Sequence, residues 1–215
     1  MGPIDVYVNA LGGALRGPRR AKADLLAEAR DGLVDAAEHH ESDGLDRAEA
    51  ERAAVAEFGP VAALAPEFQR ELALAQGRRT ALLVGAGVAT QSIVSEVAWR
   101  SAATGWHWEP SRAYLWLAGA VDYASYAAVL AAVLAAAACG IGSRYVDVGR
   151  AFVRATGLAA IAVVTFFIAG GALLTLFSPH TGGTGSPLSL AASAITLSLP
   201  AWMVYSGLRC VRASA

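Results

Sequence analysis

The sequence predicts an all-α protein, with a small helical domain in front of a four-helix transmembrane bundle. Only 16% of the 215 residues are charged, whereas roughly 25% is usual in soluble domains. Residues 1–79 carry 14 acidic and 10 basic side chains, a net charge of −4, and residues 80–215 carry 4 and 7, a net charge of +3. The chain therefore consists of a charged front part and an apolar rear part, and the change occurs at about residue 80.

The front domain, residues 1–72, has apolar side chains at helical spacing. The first predicted helix ends at Gly17-Pro18, because glycine stops a helix and proline suits the first position of the next. The second, over residues 18–41, has one apolar face and an acidic opposite face. The expected inward side chains of these two helices are Ile4, Tyr7, Val8, Leu11, Leu15, Ala21, Leu25, Ala29, Leu33 and Ala36.

A third helix is expected to begin at a capping box, in which Asp46 accepts from backbone N–H groups and Glu49 reaches back to the cap. It should end at Phe58, since Gly59 supplies a helix stop and Pro60 can start a further segment. That fourth segment presents Val61, Leu64, Phe68 and Leu72 at helical spacing. Pro66 falls inside it and is expected to kink or restart the helix.

Four later stretches are long and apolar enough to cross a bilayer, which takes roughly 20 residues of helix. They run over residues 80–98, 114–141, 152–177 and 188–208, after a basic juxtamembrane linker at 73–79 and before a tail at 209–215. Seven arginines flank one side of this bundle and two, Arg100 and Arg112, the other. Positive charge is retained on the cytoplasmic side, so both termini are expected in the cytoplasm of an inner-membrane protein.

Polar side chains within the spans are the candidate sensor positions. Glu96 follows Gln91, Ser92 and Ser95 on one helical face, and Asp122, Ser125 and Tyr126 form a second stripe. Acids in a span usually face the bundle and find partners, and Arg100 and Arg112 are the candidate partners. The Trp-rich loop around His107 is typical of an interfacial aromatic belt, with a ligand cage as the alternative.

The sequence lacks the motifs that are typical of several classes of function. No nucleotide fingerprint, nucleophile–base constellation or metal-ligand pattern is present, so we expect no enzyme activity, cofactor or metal. His39 and His40 are adjacent on a helix and therefore point in different directions. The net acidic front argues against direct nucleic-acid binding. Residues 1–20 lack the apolar core of a signal peptide, and Cys139 and Cys210 are expected to be reduced and structural.

Residues 4–72 resemble the bacterial HAAS signalling domain, also described as the permease prefix domain. The resemblance lies in the first helix with its spaced apolar residues and in the acidic second helix. It continues in the helix break before the third helix and in the way that the third helix ends. Its most specific part runs from Gly44 to Ala65 and contains Asp46, Glu49, Phe58, Gly59, Pro60 and Leu64. The resemblance implies that these residues contribute to partner binding and that the domain is a cytoplasmic adaptor fused to membrane segments.

The resemblance further implies a partner, since such domains are similar to those encoded beside PadR-type winged-helix transcription regulators. The leading hypothesis is therefore a membrane signalling protein that holds or releases a PadR-like regulator, and homo-oligomers are a candidate assembly. The alternative is a small transporter or permease subunit that uses Asp122 and Glu96 in its pathway. A related role beside ABC-type permeases fits less well, because such permeases carry a large outer domain where this chain has a short loop.

Overall fold

The computed structural model describes residues 2–102, 110–141, 149–177 and 187–213, and for a few of these, including residues 98–99 and 187–197, the backbone alone. The helices in these ranges are α1 (Pro3–Ala14), α2 (Arg19–Ser42), α3 (Arg47–Phe58), α4 (Val61–Ala102), α5 (Arg112–Gly140), α6 (Arg150–Phe177) and α7 (Pro187–Ala213). No strand occurs in the described ranges, so the all-α prediction is confirmed there.

The chain divides into two compact units, a front unit over Met1–Gln76 and a rear unit over Gly77–Ala213. Helix α4 contributes to both, because it runs without interruption through the boundary. The predicted basic linker at 73–79 is accordingly helical. Pro66 lies inside α4, and of the two expected outcomes, a kink or a restart of the helix, the restart does not occur. Proline removes one N–H donor near the helix start, and the neighbouring turns retain theirs.

The front unit has a core of apolar side chains from all four of its helical segments. Helix α1 buries its apolar face as predicted, and α2 buries Leu25, Ala29 and Leu33. Ala37 is also buried on α2, and the predicted Ala36 is only partly buried beside it. The core is completed by Ala50, Ala54 and Leu72.

Three described helices are long and apolar enough to cross a membrane: the α4 segment Val61–Val97, α5 and the α6 segment Ala151–Phe177. The fourth predicted span, residues 188–208, falls within α7. Ten of its side chains lie outside the described part of the chain, and this fourth span stays a prediction. Helix α7 continues through Pro200.

The rear unit packs through small residues. Val84, Val88, Ala160, Val164 and Met203 form its buried cluster, contributed by α4, α6 and α7. On α4, a methyl group at Gly87 would come 2.8 Å from the Met203 sulfur, so the flexible Met203 side chain would have to move to admit it. Small side chains let helices approach closely where lipid provides no hydrophobic driving force between them.

Candidate functional site

The corner between α3 and α4 is fixed by a tyrosine from α1. Gly59 has φ +97°, a conformation that side chains disfavour, and it lets the chain turn directly after Phe58. The Tyr7 hydroxyl donates a 2.8 Å hydrogen bond to the Gly59 carbonyl oxygen. The Tyr7 and Phe58 rings pack edge to face with centroids 5.8 Å apart. Burial raises the pKa of the Tyr7 phenol, so it remains a donor at neutral pH.

A second contact fastens α4 to the α1–α2 loop. The Arg16 backbone N–H donates to Gln69 Oε1, and Gln69 Nε2 donates back to the Arg16 carbonyl, both at 2.8 Å. Beside this clamp, a Cβ atom at Gly17 would lie 2.9 Å from the Leu72 Cβ. Arg16 and Gln69 were not singled out from the sequence, because the clamp joins positions 53 residues apart.

The six residues that the resemblance assigns to partner binding do not form one patch. The Asp46 carboxylate caps α3 by accepting from the Glu49 backbone N–H at 2.8 Å, as predicted. Phe58 and Gly59 are half-buried in the corner at the other end of α3, about 18 Å away along a 12-residue helix. Pro60 is exposed and Leu64 is half-buried on α4. Cap and corner each shape the domain locally, and their part in partner binding stays a prediction.

The exposed face of α2 carries an acidic stripe. Its members recur at alternating spacings of four and three residues, so they share one narrow strip of the helix opposite Leu25, Ala29 and Leu33. No lysine or arginine interrupts the strip between its two ends. The stripe consists of Asp24, Glu28, Asp31, Asp35 and Glu38, all of them exposed. Clustered charge of one sign creates a potential that attracts an oppositely charged partner.

In the rear unit, Glu96 is paired within its own helix. Arg100 Nε donates to Glu96 Oε1 at 2.5 Å, four residues apart on α4. Gln91 Nε2 lies 3.5 Å from the Ser95 Oγ on the same helix. Arg100 was one of the two partners expected for Glu96. Both side chains are exposed, and an exposed pair of this spacing contributes little to stability.

Asp122 and Tyr126 lie on the outside of the bundle, which differs from the expectation that this stripe faces inward. Ser125 alone among the three is buried, and its hydroxyl donates to the Asp122 backbone carbonyl at 2.7 Å. The buried side of α5 is formed by Ser125, Ala132, Ala136 and Cys139, and Asp122 lies off that side. No described residue makes a hydrogen bond or ion pair with the Asp122 carboxylate. An unpaired acid in mid-bilayer costs about 2.5–3.5 kcal/mol on insertion scales.

An apolar groove of about 510 Å³ lies between α5 and α6, with α4 at its floor. Its walls are mostly alanine side chains, including Ala131, Ala135 and Ala159. Thr156 is the polar residue of the lining, and its hydroxyl donates to the Phe152 carbonyl at 3.0 Å. The groove therefore offers shape and apolar surface without a free polar group.

The remaining candidate residues are histidines and cysteines. His40 Nε2 lies 3.2 Å from Glu57 Oε2, and among the described residues no three His, Cys, Asp or Glu side chains come together. Cys139 and Cys210 are buried and unpaired. The Cys210 Sγ donates to the Val153 carbonyl at 3.2 Å. His107 and its tryptophan neighbours Trp106 and Trp108 lie outside the described residues.

Comparison of the chain with protein-family models, curated proteins and solved structures finds no match.

Proposed function

We propose that this protein is a bacterial membrane-anchored signalling adaptor of the HAAS type. Its front unit would bind a cytoplasmic transcription regulator, and its rear unit would change how firmly that regulator is held. The proposal is supported by a small helical unit, with its own core, that shares α4 with apolar helices able to cross a membrane. Inner-membrane location, four spans and cytoplasmic termini belong to the same proposal and follow from the arginine distribution.

The observation that carries the proposal is the acidic stripe on α2. Five exposed carboxylates on one strip create a surface suited to a basic partner. DNA-binding proteins present basic surfaces to phosphates, so a winged-helix regulator of the PadR kind has the complementary charge. An adaptor that covers the regulator's basic surface competes with DNA for it. When the adaptor releases the regulator, the regulator can bind DNA again.

Coupling between membrane and partner is proposed to run through α4. Residues 61–76 of this helix complete the front core, and residues 77–102 belong to the rear unit. The Arg16–Gln69 clamp and the Tyr7–Gly59 hydrogen bond hold the first turns of α4 in place. A stimulus shifts such a system only by binding the two states of the rear unit unequally.

The test is recovery of the regulator with the full chain from gently solubilised membranes. The comparison is a variant that lacks residues 1–79. We expect a winged-helix protein with the full chain and none with the shortened one. Recovery of no soluble partner in either case would overturn the adaptor proposal.

A charge variant tests the stripe itself. Asp31→Asn combined with Asp35→Asn removes two charges from it and should weaken regulator binding, most strongly at low salt. Glu67→Gln combined with Glu71→Gln makes the same change at exposed positions on α4 and should leave binding unchanged. Equal effects of the two double variants would mean that overall charge, and not the stripe, attracts the partner.

The second candidate function is a small transporter, favoured by the acidic Asp122 on a membrane helix. Asp122→Asn should abolish flux through a transporter reconstituted in vesicles. In the signalling protein this substitution alters regulation or has no effect. Loss of flux in Asp122→Asn would favour transport over signalling.

A further inference from the structure

One face of α5 is largely exposed. Its residues follow one another at spacings of three or four, so they form one strip along the helix. We name this strip the Asp122 face, and it consists of Leu115, Gly119, Asp122, Tyr126, Leu130, Val133 and Ala137. Tyr126 is 71% exposed and Leu130 is 61% exposed. Leu115, Val133 and Ala137 are likewise exposed, so the strip is open over most of the helix.

The position of Asp122 makes this exposure costly. Helix α5 has 29 residues, about 43 Å, and therefore exceeds the roughly 30 Å hydrocarbon core of a bilayer. Asp122 is ten residues after Arg112, about 15 Å along the helix, and so lies inside the hydrocarbon region when α5 is centred in it. No described residue hydrogen-bonds the Asp122 carboxylate or the Tyr126 hydroxyl. Polar groups at such depth are satisfied by a neighbouring helix.

The chemistry of the face matches a second copy of itself. The Asp122 carboxyl group accepts hydrogen bonds and the Tyr126 hydroxyl donates them, so two copies can satisfy each other's groups reciprocally. In a parallel pair about a two-fold axis, residues of equal number meet at equal height. Helical side chains lean toward the N-terminus, which brings a tyrosine hydroxyl at position 126 back toward the level of position 122.

The face also allows two helices to approach. A Cβ atom at Gly119 would have no neighbour within 4 Å, so the backbone is open there, one turn before Asp122. Small residues at such positions permit close helix contacts in membranes. A lipid chain would fill the apolar part of the strip, yet it offers no donor to Asp122. The donors and acceptors of the face therefore favour protein over lipid.

We propose that the protein is a homodimer in the membrane, formed by the Asp122 faces of two parallel α5 helices. Each Asp122 carboxyl group accepts a hydrogen bond from the Tyr126 hydroxyl of the other copy. Gly119 lies near the two-fold axis, with Leu115 above it and Val133 below it. This interface is independent of the adaptor function, since it uses no residue of the front unit.

The test measures association of the full chain in lipid bilayers, by single-molecule photobleaching over a range of protein-to-lipid ratios. We expect dimers of the parent chain and about tenfold weaker association of Tyr126→Phe, because the dimer loses two interhelical hydrogen bonds at once. Asp122→Leu should weaken association to a similar extent. Asp122→Asn retains an acceptor and should remain within about threefold of the parent.

The matched control is Tyr205→Phe, which removes a hydroxyl from an exposed tyrosine on α7 and should leave association unchanged. The double variant Asp122→Leu with Tyr126→Phe should associate no more weakly than either single variant, because both remove the same bond. Tyr126→Phe is conservative and keeps the test valid if Asp122→Leu fails to fold. Additive losses in the double variant would overturn the proposed bond.

Cross-linking in native membranes tests the partner's identity. Leu115→Cys and Val133→Cys should each form a covalent dimer with a short bifunctional thiol reagent. Leu158→Cys, at an exposed position on α6, and the parent chain with its two buried cysteines should not. A chain that stays monomeric at every density, or cysteines that link to a different protein, would overturn the proposal.

Discussion

Gly157 on α6 and Gly207 on α7 approach so closely that each backbone occupies the space of the other's missing side chain. A Cβ atom at Gly157 would lie 2.9 Å from the Gly207 carbonyl oxygen, and one at Gly207 would lie 3.0 Å from the Gly157 carbonyl oxygen. The contact is reciprocal and involves backbone on both sides, so rotation of a side chain cannot relieve a clash. The two helices therefore depend on glycine at both positions.

Gly157→Ala is expected to destabilise the rear unit. The added methyl group must push α6 and α7 apart, and overpacking of this kind costs about 1–3 kcal/mol. The melting temperature of the detergent-solubilised chain should fall by several degrees. Gly171→Ala is the control, because a Cβ atom there meets nothing within 4 Å and the melting temperature should not fall. Equal behaviour of the two variants would contradict the close contact.

Gly17→Ala should loosen the attachment of α4 to the front core. The new Cβ atom would meet the Leu72 Cβ at 2.9 Å, and we expect a loss of about 1–3 kcal/mol. Gly32→Ala changes a glycine in the interior of α2 with no atom near its Cβ position, and it should stabilise by about 0.5–1 kcal/mol. Amide hydrogen exchange of the full chain in urea reports both effects on the front unit. The expected changes in the free energy of unfolding therefore have opposite signs for these two substitutions.

Tyr7→Phe removes the hydrogen bond to the Gly59 carbonyl and retains the ring that packs on Phe58. The expected loss is about 1 kcal/mol, the usual net contribution of such a bond. Amides at the α3–α4 corner, residues 55–65, should exchange faster than in the parent chain. Unchanged exchange at the corner, with the front unit otherwise intact, would show that Tyr7 contributes packing alone.

The Tyr7 phenol also predicts a pH dependence. Burial raises its pKa above the value of 10.0 for a free tyrosine, so the unfolded chain releases this proton first as pH increases. The stabilisation is therefore fully present below about pH 10 and is lost as pH rises through the pKa of the folded state. Urea unfolding of the front unit between pH 8 and 11 should show a steeper decline in the parent chain than in Tyr7→Phe. Parallel curves would contradict the link to Tyr7.

Local periodicity was sufficient to predict the front core. Ile4, Tyr7, Leu11 and Leu15 are buried as their spacing predicts, because helical geometry alone brings them to one face. The Asp46 cap was predicted for the same reason, since its hydrogen bond closes within three residues. Features that depend only on residues close together in the chain could thus be predicted from the sequence.

Contacts between residues far apart in the chain could not be predicted from the sequence. The Arg16–Gln69 clamp and the Gly157–Gly207 contact join positions about 50 residues apart, and nothing in either local sequence marks the partner. The orientation of Asp122 is a further case. Its stripe was expected to face the bundle, yet Ser125, Ala132 and Ala136 form the buried side of α5 and leave Asp122 outside. Which of two adjacent helical faces is buried depends on the neighbouring helices.

The sharing of α4 determines where the front unit can be cut from the chain. A fragment that ends with α3 at Phe58 has three whole helices, yet it lacks Leu72, which is almost completely buried in the core. A fragment that extends to Thr80 already includes a side chain buried in the rear unit. A chain that ends near residue 76 keeps the complete front core and leaves out the buried side chains of the rear unit. Expression screens that place the stop codon by counting helices would therefore recover an incomplete fold.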